Sequence, residues 1–542
     1  MKSMKKLVTL LFSLVMLCAL AIPVMADEPT YSITINGAVA GHTYTAYQVF
    51  KGVYSSDSDN NKEYLSNVEW GVGVASDALL TELKKNETLN NKFKDANSAE
   101  DVAYVLQTMT NKSAELDEFA RVVGHNLMEE QKSGSATIPD GDTTKMGEIP
   151  NLSAGYYFVK DAGGINAGEI ATKFLVKVVG DANVTVKAQA PTFEKKIVEN
   201  DTTVNGTSVN VGDKVTFRLT ANVPDMASFD DYTFTMHDTL SDGLTFNADS
   251  VKVTVNDEPI VNVAGTNKYD LTYPTATGSK DTFTIAFTKT QLKDMVKHTG
   301  GTDEKTDFGA TIVVEYNATL NEKALTKDVE TNEAYLEYTN DPSVDDKGTK
   351  TPGATVYVYD FDLTVDKFDG TNQTGGNPDT SKKLKGAKFV LYRKVTTDGT
   401  EKVEYYYWNK TGKKVNWVDN VDEASEVITD DKGAATFNGL AAGTYYLKET
   451  KAPDGYNTQE KDAQVEIKAT YNSKTGKLAD TSSGKTGNGQ YIQVQSIANK
   501  AGAVLPSTGG IGTTIFYVLG SIMALGAAVL LIAKKSLNGQ DR

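Results

Sequence analysis

A lysine falls on the inward-facing side of a predicted β-strand near residue 360. Polar and apolar residues alternate in this segment, so Lys367 shares one strand face with three apolar residues, Phe361, Leu363 and Val365. Burial of a lone lysine is costly, and lysines usually lie at the surface. Burial also lowers the pKa of a lysine, and the resulting neutral amine is a nucleophile. Lys367 is therefore a candidate for chemistry inside the fold.

A second lysine has the same setting about 170 residues earlier. In the stretch that follows Pro191, Phe193, Lys195 and Ile197 share one face of a predicted strand. This spacing favours Lys195 over its neighbour Lys196 as the inward-pointing amine. Solvated lysines at strand ends are the alternative interpretation for both regions.

Three stretches around Lys367 resemble the B-type repeat of Gram-positive collagen-binding proteins and pilins. They are the segments 361–367, 445–456 and 497–500. The resemblance implies that Lys367 forms an amide with the side chain of Asn499 and that Glu449 promotes this reaction. Burial raises the pKa of a carboxyl group, and a protonated acid can polarise a carboxamide and shuttle protons while ammonia leaves.

The region around Lys195 resembles the A-type, or D2-type, domain of the same pilins. The resemblance implies Asp238 as the acid and a bond between Lys195 and Asn332, which lies in phase with inward-facing apolar neighbours. Lys196 and Asn340 stay open as alternatives.

The N-terminal region repeats only part of this pattern. Its aromatic-rich run 154–161 matches the run 442–449, which suggests related β-domains at the two ends. Asp161 stands where the acid should be, but the opening strand around Ile33 carries no lysine. We therefore predict no internal crosslink in this region.

The C-terminus has the composition of a membrane anchor. An apolar run from Ile515 to Ala533 is long enough to cross a bilayer as a helix. Lys534 and Lys535 follow it, as expected on the cytoplasmic side. We predict a membrane helix at 511–533 and a basic tail at 534–542.

A hexapeptide lies just before this run and contains Leu505, Pro506, Thr508 and Gly509. Hexapeptide, helix and basic tail together resemble the sorting signal of Gram-positive surface proteins. The resemblance implies that a sortase thiolate attacks the Thr508 carbonyl, that Gly509 leaves as an amine, and that Thr508 passes to a waiting amine. Pro506 favours an extended or kinked backbone, and glycines leave the scissile bond unshielded.

The waiting amine in shaft pilins usually belongs to a lysine at the end of the N-terminal domain. Lys187 occupies that position here. The Tyr-Pro before it and the Asn after it, which are typical of such stretches, are missing. Lys187 is therefore predicted as the acceptor by position, with an ordinary linker lysine as the alternative.

The N-terminus predicts export. Lys2, Lys5 and Lys6 precede an apolar stretch that ends in a small-residue cleavage site at Ala26, so residues 1–26 are a predicted signal peptide. The one cysteine, Cys18, lies inside it, and the mature chain then has none. A secreted protein without disulfides needs another source of robustness.

The remaining sequence predicts a mainly β fold of tandem immunoglobulin-like sandwiches. We expect an N-terminal domain at 27–190 with a helical insertion capped at Ser98, then an A-type domain at 191–356 and a B-type domain at 357–500. Predicted strands include 209–219, 283–287 and 310–316. A spacer at 501–510 contains the hexapeptide.

No metal or cofactor is predicted. Asp57, Asp59 and Asn61 mimic the start of a calcium loop, but Lys62 and Val68 stand where the glycine and glutamate are needed. We predict a polar loop. The net charge of −16 also makes nucleic acid an unsuitable partner.

The favoured function is the major shaft subunit of a sortase-assembled pilus on a Gram-positive cell wall, and the protein is not expected to be an enzyme. Its expected partners are sortase, identical subunits, accessory pilins and peptidoglycan, with a host ligand as a further possibility. A singly anchored adhesin is the alternative. A hydrolase using Asp238 or Glu449 is disfavoured because neither motif contains a nucleophile, a metal set or a second catalytic carboxylate.

Overall fold

The computed structural model describes residues 29–537 except for a set of gaps, which are 58–61, 112, 167, 187–189, 225, 227–228, 230, 263–267, 275–278, 299–308, 342–347, 372–377, 487–488 and 503–510. Strands dominate the described residues and form separate groups of sheets along the chain. The predicted mainly β architecture is confirmed.

Among its described residues, the N-terminal region, 29–186, has two sheets and four α-helices. Its strands are β1 (Tyr31–Asn36), β2 (Thr43–Asp57), β3 (Lys62–Trp70), β4 (Gly134–Thr137), β5 (Met146–Leu152), β6 (Gly155–Gly163), β7 (Lys173–Val178) and β8 (Ala182–Thr185). One sheet has the order β5-β1-β8, and the other has the order β3-β2-β6-β7 with β4 beside β2. The helices are α1 (Ser76–Lys85), α2 (Asn90–Phe93), α3 (Ala99–Leu106) and α4 (Ala114–His125).

The helices form the predicted insertion between β3 and β4. Ser98 caps α3, because its hydroxyl accepts from the backbone nitrogen of Asp101 while the Asp101 carboxylate accepts from that of Ser98. Phe119 of α4 packs with Phe158 of β6, whereas Tyr157 and Val159 of β6 belong to the core shared with the other sheet. The larger sheet is therefore covered on both faces.

The middle region, residues 190–359, is a sandwich of two sheets around one apolar core. Its strands are β9 (Phe193–Glu199), β10 (Thr202–Val204), β11 (Gly206–Ser208), β12 (Lys214–Asn222), β13 (Phe234–Leu240), β14 (Leu244–Val255), β15 (Glu258–Ile260), β16 (Asp270–Thr272), β17 (Phe283–Phe287), β18 (Thr311–Leu320), β19 (Glu330–Thr339), β20 (Gly348–Lys350) and β21 (Ala354–Tyr359), with helix α5 (Lys289–His298) after β17. The sheet orders are β10-β9-β12-β18-β14-β15 and β11-β21-β19-β13-β17-β16, with β20 beside β19.

The C-terminal region, residues 361–501, is a second sandwich with its own core. Its strands are β22 (Phe361–Asp369), β23 (Lys388–Thr397), β24 (Thr400–Asn409), β25 (Lys414–Val418), β26 (Val427–Ile428), β27 (Ala434–Leu440), β28 (Gly443–Lys451), β29 (Ala463–Ile467), β30 (Ala469–Tyr471), β31 (Leu478–Thr481), β32 (Gly484–Lys485) and β33 (Tyr491–Asn499). The main sheets have the orders β27-β22-β33-β32 and β25-β24-β23-β28-β29; β26 pairs with β23, and β30 pairs with β31.

The repeated aromatic run has the same local structure in both end regions. It forms β6 in the first and β28 in the last. The hydroxyl of Tyr157 donates to the carbonyl of Ser153 at 2.9 Å, and that of Tyr445 donates to the carbonyl of Ala441 at 2.8 Å. Each tyrosine thus ties its strand to the backbone four residues upstream, as in the tyrosine corner of immunoglobulin-like folds.

A turn interrupts the predicted strand 209–219. The carboxylate of Asp213 accepts from the backbone and side-chain nitrogens of Asn210 at 3.0 and 2.7 Å, and β12 begins only at Lys214. The residue between them, Val211, bonds instead with the C-terminal region, accepting from Val415 and donating to Gly439. Contacts between regions thus override the local β pattern here.

The middle and C-terminal regions meet around Asp360. Strand β21 pairs with β19 in the middle sandwich, so the predicted boundary at 356/357 falls inside a strand. The strand pairing favours a break at Asp360, between β21 and β22. Gly439 lies against this junction with a φ of 69°, and a Cβ at that position would come 2.8 Å from the Val211 side chain. Glycine alone fits this close approach.

The chain ends in the predicted apolar helix, α6 (Ile511–Leu537). The segment Thr514–Ser536 has 23 residues and a mean hydropathy of 2.5, and none of it is buried by the rest of the protein. By length and composition this helix can cross a membrane.

Replacing Ser98 by alanine tests the cap that starts α3. The loss of one side-chain bond to the helix N-terminus is expected to destabilise the N-terminal region by about 1 kcal/mol. Hydrogen exchange of the α3 amides measures the effect. The exposed Ser133 gives a control, since its replacement by alanine is expected to change stability by less than about 0.5 kcal/mol. Equal protection of α3 in both variants would contradict the assignment.

Candidate functional site

In the C-terminal sandwich, Lys367, Glu449 and Asn499 meet in the core, and all three are buried. Lys367 Nζ lies 3.2 Å from Glu449 Oε1 and donates to Asn499 Oδ1. Asn499 Nδ2 donates to both carboxylate oxygens of Glu449, at 2.9 and 3.0 Å. The amine, the carboxamide and the acid are therefore in mutual contact.

Strand pairing explains how these groups meet. Strand β22 pairs in parallel with β33, and the register places Lys367 beside Ile497 and Asp369 beside Asn499. The first and last strands of the sandwich are thus neighbours in one sheet. Glu449 comes from β28 in the facing sheet and also accepts from the backbone nitrogen of Gln459 at 2.8 Å. Burial lowers the pKa of Lys367, against the opposing effect of Glu449.

The predicted inward face of β22 is confirmed. Every second residue from Phe361 to Asp369 is buried, and Lys367 is fully so. The Phe389 ring lies near the amine, with its centroid 5.6 Å from Nζ.

In the middle sandwich, Lys195, Asp238 and Asn332 also meet in the core, and none is more than 2% exposed. Lys195 Nζ lies 2.5 Å from Asp238 Oδ2. The two groups come from different sheets, since Lys195 is on β9 whereas Asp238 is on β13 and Asn332 is on the adjacent β19. This cluster therefore spans the sandwich from one sheet to the other.

Sequence reasoning missed Tyr316, a fourth member of this cluster. Its hydroxyl donates to Asp238 Oδ2 at 2.5 Å and accepts from Lys195 Nζ at 2.7 Å and from Asn332 Nδ2 at 2.8 Å. Tyr316 ends the predicted strand 310–316 and alternates in phase with the buried Ile312 and Val314. This alternation, visible in the sequence, could have indicated that the side chain of Tyr316 faces inward.

Burial changes the pKa values of the charged groups in the middle cluster. It lowers the pKa of Lys195 and raises that of Asp238, while the attraction between the two groups opposes both shifts. Both directions favour the neutral amine and the protonated acid. Oδ1 of Asp238 and Oδ1 of Asn332 are buried and have no hydrogen-bond partner among the described residues.

The two alternatives left open by the sequence lie elsewhere. Lys196 points away from the core and pairs with Glu194 at 2.9 Å, with a quarter of its side chain exposed. Asn340 follows the end of β19, and its carbonyl accepts from the backbone nitrogen of Ala171 in the N-terminal region. The geometry favours Lys195 and Asn332.

In the N-terminal region, Asp161 faces a histidine instead of a lysine. His42 is fully buried, with Nδ1 2.5 Å from Asp161 Oδ2 and Nε2 3.1 Å from Glu169 Oε2. Both ring nitrogens can donate only in the imidazolium form. Burial lowers the pKa of His42, but the two carboxylates outweigh it and leave that pKa above its ordinary value.

The loop that carries Glu169 also contacts the middle sandwich. The Glu169 carbonyl accepts from the Tyr338 hydroxyl at 2.7 Å, and Ile170 belongs to the apolar core of the middle region. The His42 cluster therefore lies beside the joint between the first two regions.

The residues predicted to take part in polymerisation lie outside the described part of the chain. These are Lys187 and the sorting residues Leu505, Pro506, Thr508 and Gly509, and Asp59 and Asn61 of the predicted polar loop are also outside it. Within the described residues, no group of three or more His, Cys, Asp or Glu side chains is arranged to hold a metal ion.

Two family models match the C-terminal part of the chain. Residues 363–481 match the SpaA prealbumin-like fold domain, and residues 497–536 match the LPXTG cell wall anchor motif. The second match includes the hexapeptide and most of α6. It makes the protein a wall-anchored surface protein.

A longer match comes from the trypsin-resistant surface T6 protein of Streptococcus pyogenes serotype M6, with 25% identity over 398 residues, or 64% of this chain and 69% of that protein. The solved T6 backbone pilin of the same serotype covers 88% of this chain and all of its own, at 17% identity and a TM-score of 0.52. This chain is similar to backbone pilins. The full-length major pilin SpaD of Corynebacterium diphtheriae gives 18% identity and a TM-score of 0.46 over 88% of this chain and 98% of its own.

Replacing His42 by asparagine tests the charge state of the cluster that His42 forms with Asp161 and Glu169. The folded pKa of His42 is raised above the unfolded value of about 6.5, so its ion pairs stabilise fully below that pH. The contribution is lost as the pH rises through the folded pKa. Hydrogen exchange of β2 and β6 in wild type should therefore accelerate from about pH 6.5 upward, beyond the intrinsic pH effect, and should do so less in the variant.

A His125→Asn variant is the matched control, since His125 lies on α4 at a partly exposed position 3.8 Å from Glu82. It should keep the wild-type profile. Superimposable pH profiles for wild type and His42→Asn would contradict the assignment.

Proposed function

We propose that this protein is the backbone subunit of a covalently polymerised pilus, closed internally by two Lys–Asn amides. The observation that carries the proposal is the burial of a lysine beside an acid and an asparagine in each of two tandem sandwiches. Similarity to backbone pilins and the wall anchor support it. We infer three domains, with limits near 190 and at Asp360 and a spacer from 501.

The internal reaction is an amide exchange. The neutral amine of Lys367 attacks Cγ of Asn499, the C–N bond to the old amide nitrogen breaks, and ammonia leaves with one proton from the lysine. Glu449 contacts both reacting groups and carries protons between them. Lys195 and Asn332 react in the same way, with Asp238 as the acid.

Each bond would constrain the unfolded chain and carry load in the folded one. Lys367 and Asn499 are separated by 132 residues, and closing a loop of that size contributes about 5 kcal/mol by the chain-entropy model used for disulfides. Tension on the two ends would then load a covalent bond instead of a hydrogen-bond ladder. Unlike a disulfide, an amide is not cleaved by reductants.

Polymerisation would proceed through the sorting signal. A sortase cleaves between Thr508 and Gly509 and joins the Thr508 carbonyl to an amine of the next subunit, and Lys187 is the proposed acceptor. The partners are therefore sortase, identical subunits, accessory pilins and, at the base, peptidoglycan. Asp238 and Glu449 act once on their own chain and do not turn over, so the protein is not an enzyme in the usual sense.

A singly anchored adhesin is the second candidate. The same wall anchor would attach it to peptidoglycan, and the internal amides would serve it equally well. What separates the two functions is whether one chain becomes linked to another.

Intact mass tests the internal bonds. The full-length chain, purified from a host that lacks sortase, is expected to weigh less than its processed sequence by two molecules of ammonia. Lys195→Ala and Lys367→Ala should each restore one ammonia, because each removes one nucleophile. Lys196→Ala is the matched control and should keep both losses. A wild-type mass equal to that calculated from the processed sequence would contradict the presence of both amides.

Polymer formation tests the intersubunit bond. In the native host, wild type should give a ladder of covalent multimers in denaturing gels, and Thr508→Ala should abolish it because the altered motif is no longer a sortase substrate. Lys187→Ala should also remove the ladder while leaving monomer on the wall. A ladder that survives Lys187→Ala moves the acceptor to another lysine. A single wall-linked species in wild type would favour the adhesin.

A further inference from the structure

The hydroxyl of Tyr316 is positioned to take part in the chemistry of the middle cluster. It contacts the nucleophile Lys195 at 2.7 Å, the acid Asp238 at 2.5 Å and the leaving nitrogen of Asn332 at 2.8 Å. A phenol has one proton to donate and two lone pairs to accept with, and all three are used here. Asp238, by contrast, has a hydrogen bond to Lys195 and Tyr316 but none to Asn332.

In the C-terminal cluster, the acid itself makes the contacts that the Tyr316 hydroxyl makes in the middle cluster. There the carboxylate of Glu449 contacts both Lys367 and Asn499 directly. The aromatic ring beside Lys367 is Phe389, which has no hydroxyl. Aspartate is one methylene shorter than glutamate, and in the middle cluster the tyrosine hydroxyl, not the acid, is hydrogen-bonded to Asn332 Nδ2.

Resting on the proposed function, we propose that Tyr316 is a catalytic residue that relays a proton from Lys195 to the departing nitrogen of Asn332. After Nζ attacks Cγ, it carries an excess proton, and the former amide nitrogen becomes tetrahedral and basic. Nζ gives one proton to the phenol oxygen, and the phenol gives its own proton to Nδ2. The Cγ–Nδ2 bond then breaks, its electron pair leaves with ammonia, and the phenol is regenerated.

The surroundings keep Tyr316 fixed and protonated. Its ring packs against three aromatic rings with centroid distances of 4.9 to 5.6 Å, those of Phe283, Phe217 and Phe246. Burial and the neighbouring Asp238 raise the pKa of Tyr316 well above its usual value. The residue therefore enters the reaction as a neutral phenol with a proton to give.

A Tyr316→Phe variant removes the hydroxyl and keeps the ring. The full-length chain is sampled at intervals after a pulse of synthesis in a sortase-deficient host, and mass spectrometry of its peptides gives the crosslinked fraction at each site. General acid–base catalysis contributes about 10²- to 10⁴-fold to rates, so the Lys195–Asn332 bond should form at least about 100-fold more slowly. The Lys367–Asn499 bond in the same molecules should form at the wild-type rate.

The matched control is Tyr232→Phe. Tyr232 is equally buried in the same core, and its hydroxyl has no hydrogen-bond partner among the described residues. This variant should crosslink like wild type. A wild-type rate in Tyr316→Phe would overturn the proposal.

A rescue variant separates catalysis from a structural role. Adding Asp238→Glu to Tyr316→Phe lengthens the acid by the methylene that distinguishes the two clusters. The double variant should regain most of the lost rate, since glutamate can reach the asparagine as Glu449 does. Failure of the longer acid to restore the bond would argue that Tyr316 only supports packing, and would overturn the relay.

The proposed function can fail separately from the relay. A wild-type chain without the middle bond would refute the amide exchange there, and the role of Tyr316 with it. A wild-type chain with both bonds, together with an unaffected Tyr316→Phe variant, would leave the pilin function intact and refute only the relay.

Discussion

The structure depends on placing an amine and an acid together in a dry core. Lys195 lies beside the rings of Phe217 and Tyr316, and Lys367 lies beside the ring of Phe389, each next to a buried acid. Removing such groups from water costs several kcal/mol for each ion, which a hydrophobic pair of similar volume would avoid. At Lys195 and Asp238, burial lowers the pKa of the amine and raises that of the acid, and a neutral pair reduces that cost. It is also the state in which the amine can attack a carboxamide, so the same burial that destabilises the charges prepares the chemistry.

The two sandwiches meet this constraint with different geometry. In the C-terminal region the lysine and asparagine lie on neighbouring parallel strands, and an amide between them would reinforce one sheet. In the middle region they lie on opposite sheets, and an amide would fasten the sandwich across its thickness. The N-terminal region has an acid in the corresponding strand but pairs it with His42, which ties the strand to the loop of Glu169 by reversible ion pairs.

Much of this could be predicted from the sequence because a strand buried on one face has a strict period of two. That period distinguished Lys195 from Lys196 and placed Lys367 inward, and the local cap at Ser98 was readable from four residues. Contacts between distant elements could not be read in this way. Tyr316 gains its role only because β18 faces β13 and β19 across the core. Val211, predicted to lie in a strand, is instead hydrogen-bonded to Gly439 and Val415 of the C-terminal region. His42 precedes β2 in a turn, where no periodicity reveals its partners.

The parallel pairing of β22 with β33 has a consequence for export. With export led by the predicted signal peptide, Lys367 reaches the outside before Asn499, which follows 132 residues later. No intermediate length of this region can bring the two side chains together. The Lys367–Asn499 amide would thus form only after the whole region has been exported. A molecule stalled in the secretion channel would lack this crosslink and remain accessible to proteases at the cell envelope.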